Sequence, residues 1–341
     1  MIERKASLLT VGILIGVVAA SFLFTYLLRQ DRLSPGRGDG VIVLRLAHVL
    51  DSGHPVHEGM VYFARRVEEL SGGKVSVPIF PNGQLGSEPE TMEQAQNGAL
   101  ALVKTSAAAM EGFVPEMATF SMPYLFRDEE HYWDVLMSEL GDEFLEMGSR
   151  VGLLGICYYD SGSRSFYTAR RPVLKPSDLR GQNVRVLPSR TAMDMVSTFG
   201  GSPVPVPWGE LYTALQQGMV DGAENNPPSL LSSRHYEVAR HYSLNEHVRL
   251  PDILVISDLI WQRLSPEVQG WVMQAAREST EFQREVWRRE SDAALETLEE
   301  AGVTIYRPDI ELFQEAAAPL YENIRDQRVV ELVERIRNHG R

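Results

Sequence analysis

Between Pro266 and about Ala301 the chain holds no proline or glycine after Gln269-Gly270, and it is rich in Glu, Gln, Arg and Ala. This predicts a single helix of about 30 residues, long for a globular protein, where a helix averages three to four turns. Such a helix can span two lobes and act as their common backbone; two helices with an unmarked break are the alternative. The total of 341 residues points the same way, because one hydrophobic core seldom serves that many.

Upstream, the hydrophobic pattern alternates between the two periods. Val41–Ala47, Lys74–Phe80, Ala99–Lys104, Gly152–Tyr159, Asn183–Leu187 and Asp252–Ser257 are expected strands. Between them Val56–Leu70, Glu88–Gly98, Thr191–Phe199 and Trp208–Met219 are expected helices, the first carrying Met60, Phe63, Ala64, Val67 and Leu70 on one side. Val303–Tyr306 adds a strand and Asp309–Ile324 a helix. Strand–helix alternation indicates an α/β protein with mainly parallel sheets.

The amino terminus fixes the compartment. Arg4 and Lys5 precede an uncharged apolar run from Ala6 to Leu28, and Arg29 follows. It roughly matches a bilayer's hydrocarbon thickness and is either a long signal peptide or a retained anchor. A polar tether, Gln30–Gly40, leads to an exported body. A formal charge of −13 argues against nucleic-acid partners. The one cysteine, Cys157, lies in an apolar run and reads as a buried, inert thiol.

Catalytic signatures are missing: there is no phosphate-binding loop, zinc-protease motif, nucleophile elbow or paired-cysteine motif, and no cofactor is implied. Attention falls instead on Arg185, set between Val184 and Val186 on a short strand. The valines share one face, so the arginine points to the other, where a buried guanidinium needs an anion. Arg164, Asn225, Lys104 and Glu88 sit at element ends, where open α/β sheets bind ligands, but each alone reads first as a cap or a surface ion pair. His54 reads as turn or helix-start polarity, with a pocket hydrogen-bonder as the sharper alternative, and Trp208 alone reads as core.

Four motifs together carry a resemblance: Phe80-Pro-Asn-Gly-Gln-Leu-Gly86, Leu179-Arg-Gly-Gln-Asn-Val-Arg185, Trp208-Gly-Glu-Leu-Tyr-Thr-Ala-Leu-Gln-Gln-Gly218 and Val220-Asp-Gly-Ala-Glu-Asn225. From about Leu44 to Ile324 the chain resembles the solute-binding proteins of tripartite ATP-independent periplasmic (TRAP) transporters, of C4-dicarboxylate-binding type. The resemblance implies a two-lobed α/β periplasmic-binding fold with mixed or parallel sheets, hinge crossovers and a long lobe-spanning helix. It places lobe one at 41–161 and 252–289, lobe two at 162–251 and 290–324, and a carboxy-terminal tail at 325–341. It implies a binding protein, expected monomeric, that delivers a small organic acid to integral membrane subunits and is no enzyme. By the same resemblance Arg185 takes the carboxylate in a two-pronged salt bridge, Arg164 and Asn225 assist, and Trp208 covers the ligand.

Thr105-Ser106-Ala107-Ala108, Ser121–Trp133 and Glu224-Asn-Asn-Pro-Pro228 are similar to the branch that binds uronates such as glucuronate and galacturonate. A uronate would use Glu88, Lys104, Ser106, His54 and Asn225 for its hydroxyls. A small dicarboxylate would want a second cation opposite Arg185, and Lys104 could serve. An exported enzyme using Glu88 or His54 as base, and a membrane-tethered sensor, are the rivals from other classes.

Overall fold

The computed structural model describes residues 40–340; the apolar run at 6–28 and nearly all of its tether lie outside the described residues. The strands are β1 (Ile42–Val43), β2 (Leu46–Ala47), β3 (Val75–Ser76), β4 (Ile79–Phe80), β5 (Leu102–Ser106), β6 (Leu153–Tyr159), β7 (Ser163–Thr168), β8 (Asn183–Val186), β9 (Ser202–Pro205), β10 (Gly222–Asn225), β11 (His241–Arg249), β12 (Asp252–Ser257) and β13 (Thr304–Tyr306). They form a five-stranded sheet ordered β4-β2-β5-β12-β6, a six-stranded sheet ordered β13-β11-β7-β10-β8-β9, and the pair β1-β3. Each sheet is the centre of one lobe, so the fold is the expected two-lobed α/β arrangement.

The sheets are mixed rather than mainly parallel, and the crossovers explain why. β6 leads out of the first lobe into β7, and β11 leads back into β12. Strands that carry the chain out and back run in opposite directions, so β12 is antiparallel to β5 and β6, and β7 is antiparallel to β10 and β11. The strands fed by helical crossovers stay parallel: β2 with β4 and β5, β8 with β9 and β10.

Val41–Ala47 is two short strands, not one. Its first half pairs with β3 and its second joins the main sheet, and Lys74–Phe80 is divided to match. Trp208–Met219 is also divided, into a 3-10 turn at Trp208–Glu210 and a helix at Leu211–Gln216. The stretch from Pro266 is one helix, Pro266–Glu300, of 35 residues, capped by Ser265, whose hydroxyl accepts from Val268 N–H. Val268, Val272, Ala275 and Ala276 enter the core around β5 and β12, while Leu298 enters the core of the second sheet. One helix therefore serves both lobes. It lies along helix Pro55–Ser71, and Arg66 ties the two through Glu278.

Residues 325–341, expected as a tail, instead contain the helix Gln327–Asn338. Val329, Leu332, Val333 and Ile336 recur at helical spacing, are buried, and join the core with Met117 and Phe120. Arg328 and Arg335 both pair with Glu143, and the Ile336 carbonyl lies 2.9 Å from His131 Nε2. This helix thus packs against the first lobe.

Candidate functional site

β8 positions Arg185. Val184 and Val186 are buried in the second-lobe core, and Arg185 on the opposite face is only 1% exposed. Its Nε donates to the Val206 carbonyl at 2.8 Å, and its guanidinium carbon lies 5.7 Å from the Trp208 ring centroid, close enough for a cation–π contact. Nη1 is buried and has no hydrogen-bond partner among the described residues. Burial pulls the guanidinium below its ordinary pKa, with Tyr167 and Glu224 pulling the other way. The cation is thus desolvated and only partly satisfied.

Arg164, at the start of β7, is different because its counter-ion is internal. Glu224 on the neighbouring β10 accepts from Arg164 Nε, and its carboxylate and carbonyl oxygens accept from Nη2 at 2.9 and 2.8 Å. Nη1 donates to Asn225 Oδ1 at 2.8 Å. Burial pushes the Glu224 carboxyl up, but Arg164 and His247 outweigh it and bring it down to about 2. Asn225 Oδ1 also accepts from Asn226 N–H, which leaves its amide NH₂ without a partner among the described residues. Gly222 in the same motif has a steric reason: a Cβ there would lie 2.4 Å from the Tyr167 carbonyl on β7.

Lys104, on β5, is also matched. Its Nζ lies 3.0 Å from Asp252 Oδ2 and 3.9 Å from Glu88 Oε1. Burial raises the Asp252 carboxyl to about 6 against the pull of Lys104. Glu88, the first residue of helix Glu88–Gln96, also accepts from Ser106 N–H at 2.9 Å. Ser106 caps the turn that follows by accepting from Ala108 N–H.

His54 is a cap and a bridge together. Its Nδ1 accepts from Val56 N–H at the start of helix Pro55–Ser71, which places the ring proton on Nε2. Nε2 lies 3.1 Å from Ser229 Oγ in helix Pro227–Ser232, so it donates across the two lobes. Both ring nitrogens are therefore committed within the chain.

These residues meet. A cavity of about 30 Å³ is lined by His54, Glu88, Lys104, Ser106, Arg164, Trp208 and Asn225, together with Ser161, Asn226, Ser229 and Asp252. An adjoining cavity of about 230 Å³ is lined by Arg185 with Glu88, Val49 and Trp208, the last three shared with the first. All eight residues singled out in the sequence thus converge on two adjoining cavities between the sheets. The sequence did not single out Glu224, Asp252 and Ser229. Glu224 alone carried a signal, as the acid preceding Asn225 in its motif.

Three buried histidines give a pH prediction. Burial, the largest cause in each, lowers His48 to about 2, and His54 and His235 to about 3. A depressed imidazole pKa contributes stability that is whole above the unfolded value near 6.5 and is lost as pH falls toward the folded one. Each should therefore remove about 1.4 kcal/mol per pH unit below 6.5. Calorimetric melting temperature should fall steeply from pH 6 to pH 4; a flat profile would show that these rings are not neutral and buried.

Two lobes joined by crossovers, with a polar, desolvated cleft and a fixed cation between them, are the arrangement of a solute-binding protein. The chain belongs to the family described as bacterial extracellular solute-binding protein, family 7 (DctP), whose model matches residues 46–327. It is 39% identical over 300 residues to the uncharacterized protein YiiZ of Salmonella typhimurium, covering 87% of this chain and 91% of that protein. It superposes on a TRAP periplasmic solute-binding protein from Bradyrhizobium sp. in complex with α/β-D-galacturonate, with a TM-score of 0.84 and 40% identity, covering 86% of this chain and 99% of that one. A TRAP periplasmic solute-binding protein from Pseudomonas putida F1 with bound D-glucuronate matches at a TM-score of 0.83 and 34% identity, covering 88% and 98%. The protein is accordingly a binding component of a transporter for small organic acids, not an enzyme. No helix among the described residues is long and apolar enough to cross a membrane.

Proposed function

We propose that the protein captures a sugar acid with a single carboxylate, of the D-galacturonate or D-glucuronate kind, and delivers it to the integral membrane subunits of a TRAP transporter. The observation that carries this reading is the charge balance of the cleft. Of its three cations, Arg164 is held by Glu224 and Lys104 by Asp252 and Glu88. Arg185 is the one without a hydrogen-bonded carboxylate among the described residues. A monocarboxylate completes that arrangement. The second carboxylate of a dicarboxylate would meet a lysine already flanked by two acids. Uncharged hydroxyls suit Glu88, the Asn225 amide, Lys104 and Ser106, with Trp208 as the apolar lid.

In this reading Arg185 binds the carboxylate through its planar fork, and the Arg164–Glu224 pair holds Asn225 in place beside it. Residues 41–161 with 252–289, and 162–251 with 290–324, move as the two bodies that close on the ligand. Closure removes water from the arginine–carboxylate pair and strengthens it. The relatives that hold galacturonate and glucuronate support this reading.

A thermal-shift screen tests it. D-galacturonate or D-glucuronate at about a hundred times its dissociation constant should stabilise the protein by about 2.7 kcal/mol, whereas succinate and malate should give no shift. Stabilisation by the dicarboxylates and not by the uronates would overturn it.

A further inference from the structure

Glu111 lies just beyond the short helix Ala107–Met110, which continues from β5 of the first lobe. Its carboxylate does not line either ligand cavity. It reaches the second lobe, where helix Arg190–Thr198 begins five residues beyond Arg185. There it accepts three hydrogen bonds: from the Ser189 hydroxyl, from Thr191 N–H at 3.2 Å and from the Thr191 hydroxyl at 3.1 Å. Ser189, 1% exposed, caps its own helix at the same time by accepting from Ala192 N–H at 3.0 Å. A carboxylate of one lobe thus occupies the positive end of a helix in the other.

The two ends of this contact are joined to the ligand site by short stretches of chain. Glu111 is five residues from Ser106 on the first-lobe side. Ser189 follows Leu187, which lines the smaller cavity, and Arg185, which lines the larger. We propose that Glu111 is a positioning residue for capture: a clasp that docks on the Ser189–Thr191 turn as the lobes shut. It holds the Arg185 strand against the first lobe and so sets how long the acid stays bound, without touching it. This rests on the reading of the cleft as a closing sugar-acid site.

The contact predicts a division between rates. Entry occurs in the open form, before the clasp engages; release requires breaking it. Replacing Glu111 by Gln removes the charge while keeping one acceptor, and should speed release of D-galacturonate about tenfold, the size expected for hydrogen bonds to a charged group. Association should change less than twofold. Thr191→Val removes one donor and should speed release less. In the double variant the two effects should be less than multiplicative, because both residues make one contact.

Stopped-flow association and dissociation with D-galacturonate supply the rates, and ligand-free melting supplies the control. Cys157 is buried, so spin labels can be placed at Val61→Cys and Met219→Cys, both exposed and one on each lobe. With D-galacturonate, Glu111→Gln should shift the interlobe distances toward the open form. Unchanged release would overturn the clasp. So would a loss of ligand-free melting temperature with no effect on release, since that marks a fixed structural contact. If the unaltered protein neither binds nor closes on D-galacturonate, the sugar-acid reading is what fails; the clasp is then decided by the same measurements with the acid that gives the largest thermal shift.

Discussion

Replacing Arg185 by alanine should weaken binding of the sugar acid by roughly 3–5 kcal/mol, the range for removing one partner of a buried ion pair. That is on the order of a hundred- to several-thousand-fold in dissociation constant. The fold should survive. In the ligand-free protein the guanidinium is buried with an orphan Nη1 and an upward-pulling environment too weak to offset desolvation, so its removal relieves a cost. Ligand-free melting should therefore be unchanged or slightly higher, a combination that separates a binding role from a structural one. Arg185→Lys should also bind weakly, because an ammonium cannot hold Val206 and a carboxylate with the geometry of the fork. Isothermal titration with D-galacturonate measures both; wild-type affinity in either variant would remove Arg185 from the site.

The neighbouring arginine should behave in the opposite way when its partner is lost. Glu224→Ala leaves Arg164 buried with no carboxylate, and should destabilise the ligand-free protein by about 3–5 kcal/mol. For a chain of this size that corresponds to roughly 10 °C in melting temperature. The pH dependence carries the same sign. Glu224 is held near 2 in the folded protein, below the unfolded carboxylate value. Its contribution is whole above about pH 4.3 and is lost as pH falls toward 2. Glu224→Ala should lose that component of acid sensitivity while keeping the histidine component, which begins higher. A variant as stable as the parent would show that the Arg164–Glu224 pair contributes nothing net.

The periodic parts of the fold were legible. The helix from Pro266 and the strands around Gly152–Tyr159 and Asp252–Ser257 carry long or wholly apolar patterns, and they formed where expected. The strands with polar interiors were not legible: β10 reads Gly-Ala-Glu-Asn, and its burial depends on an ion pair formed only across strands. The helix Gln327–Asn338 had a legible apolar spacing but lay beyond the region of resemblance. In the cleft, residue identities were readable but pairings were not. Lys104 and Asp252 meet only through the antiparallel register of β5 and β12, and no local pattern encodes that register. The same holds for His54, whose capping role was the plain reading and whose bridge to Ser229 links residues 175 apart in sequence.

The return of helix Gln327–Asn338 to its starting lobe has a consequence for biogenesis. The apolar surface around Met117 and Phe120 is covered by residues far downstream in the chain. A nascent chain therefore cannot close that surface until helix Gln327–Asn338 has been made, and a chain cut short before it would be left with an open apolar patch.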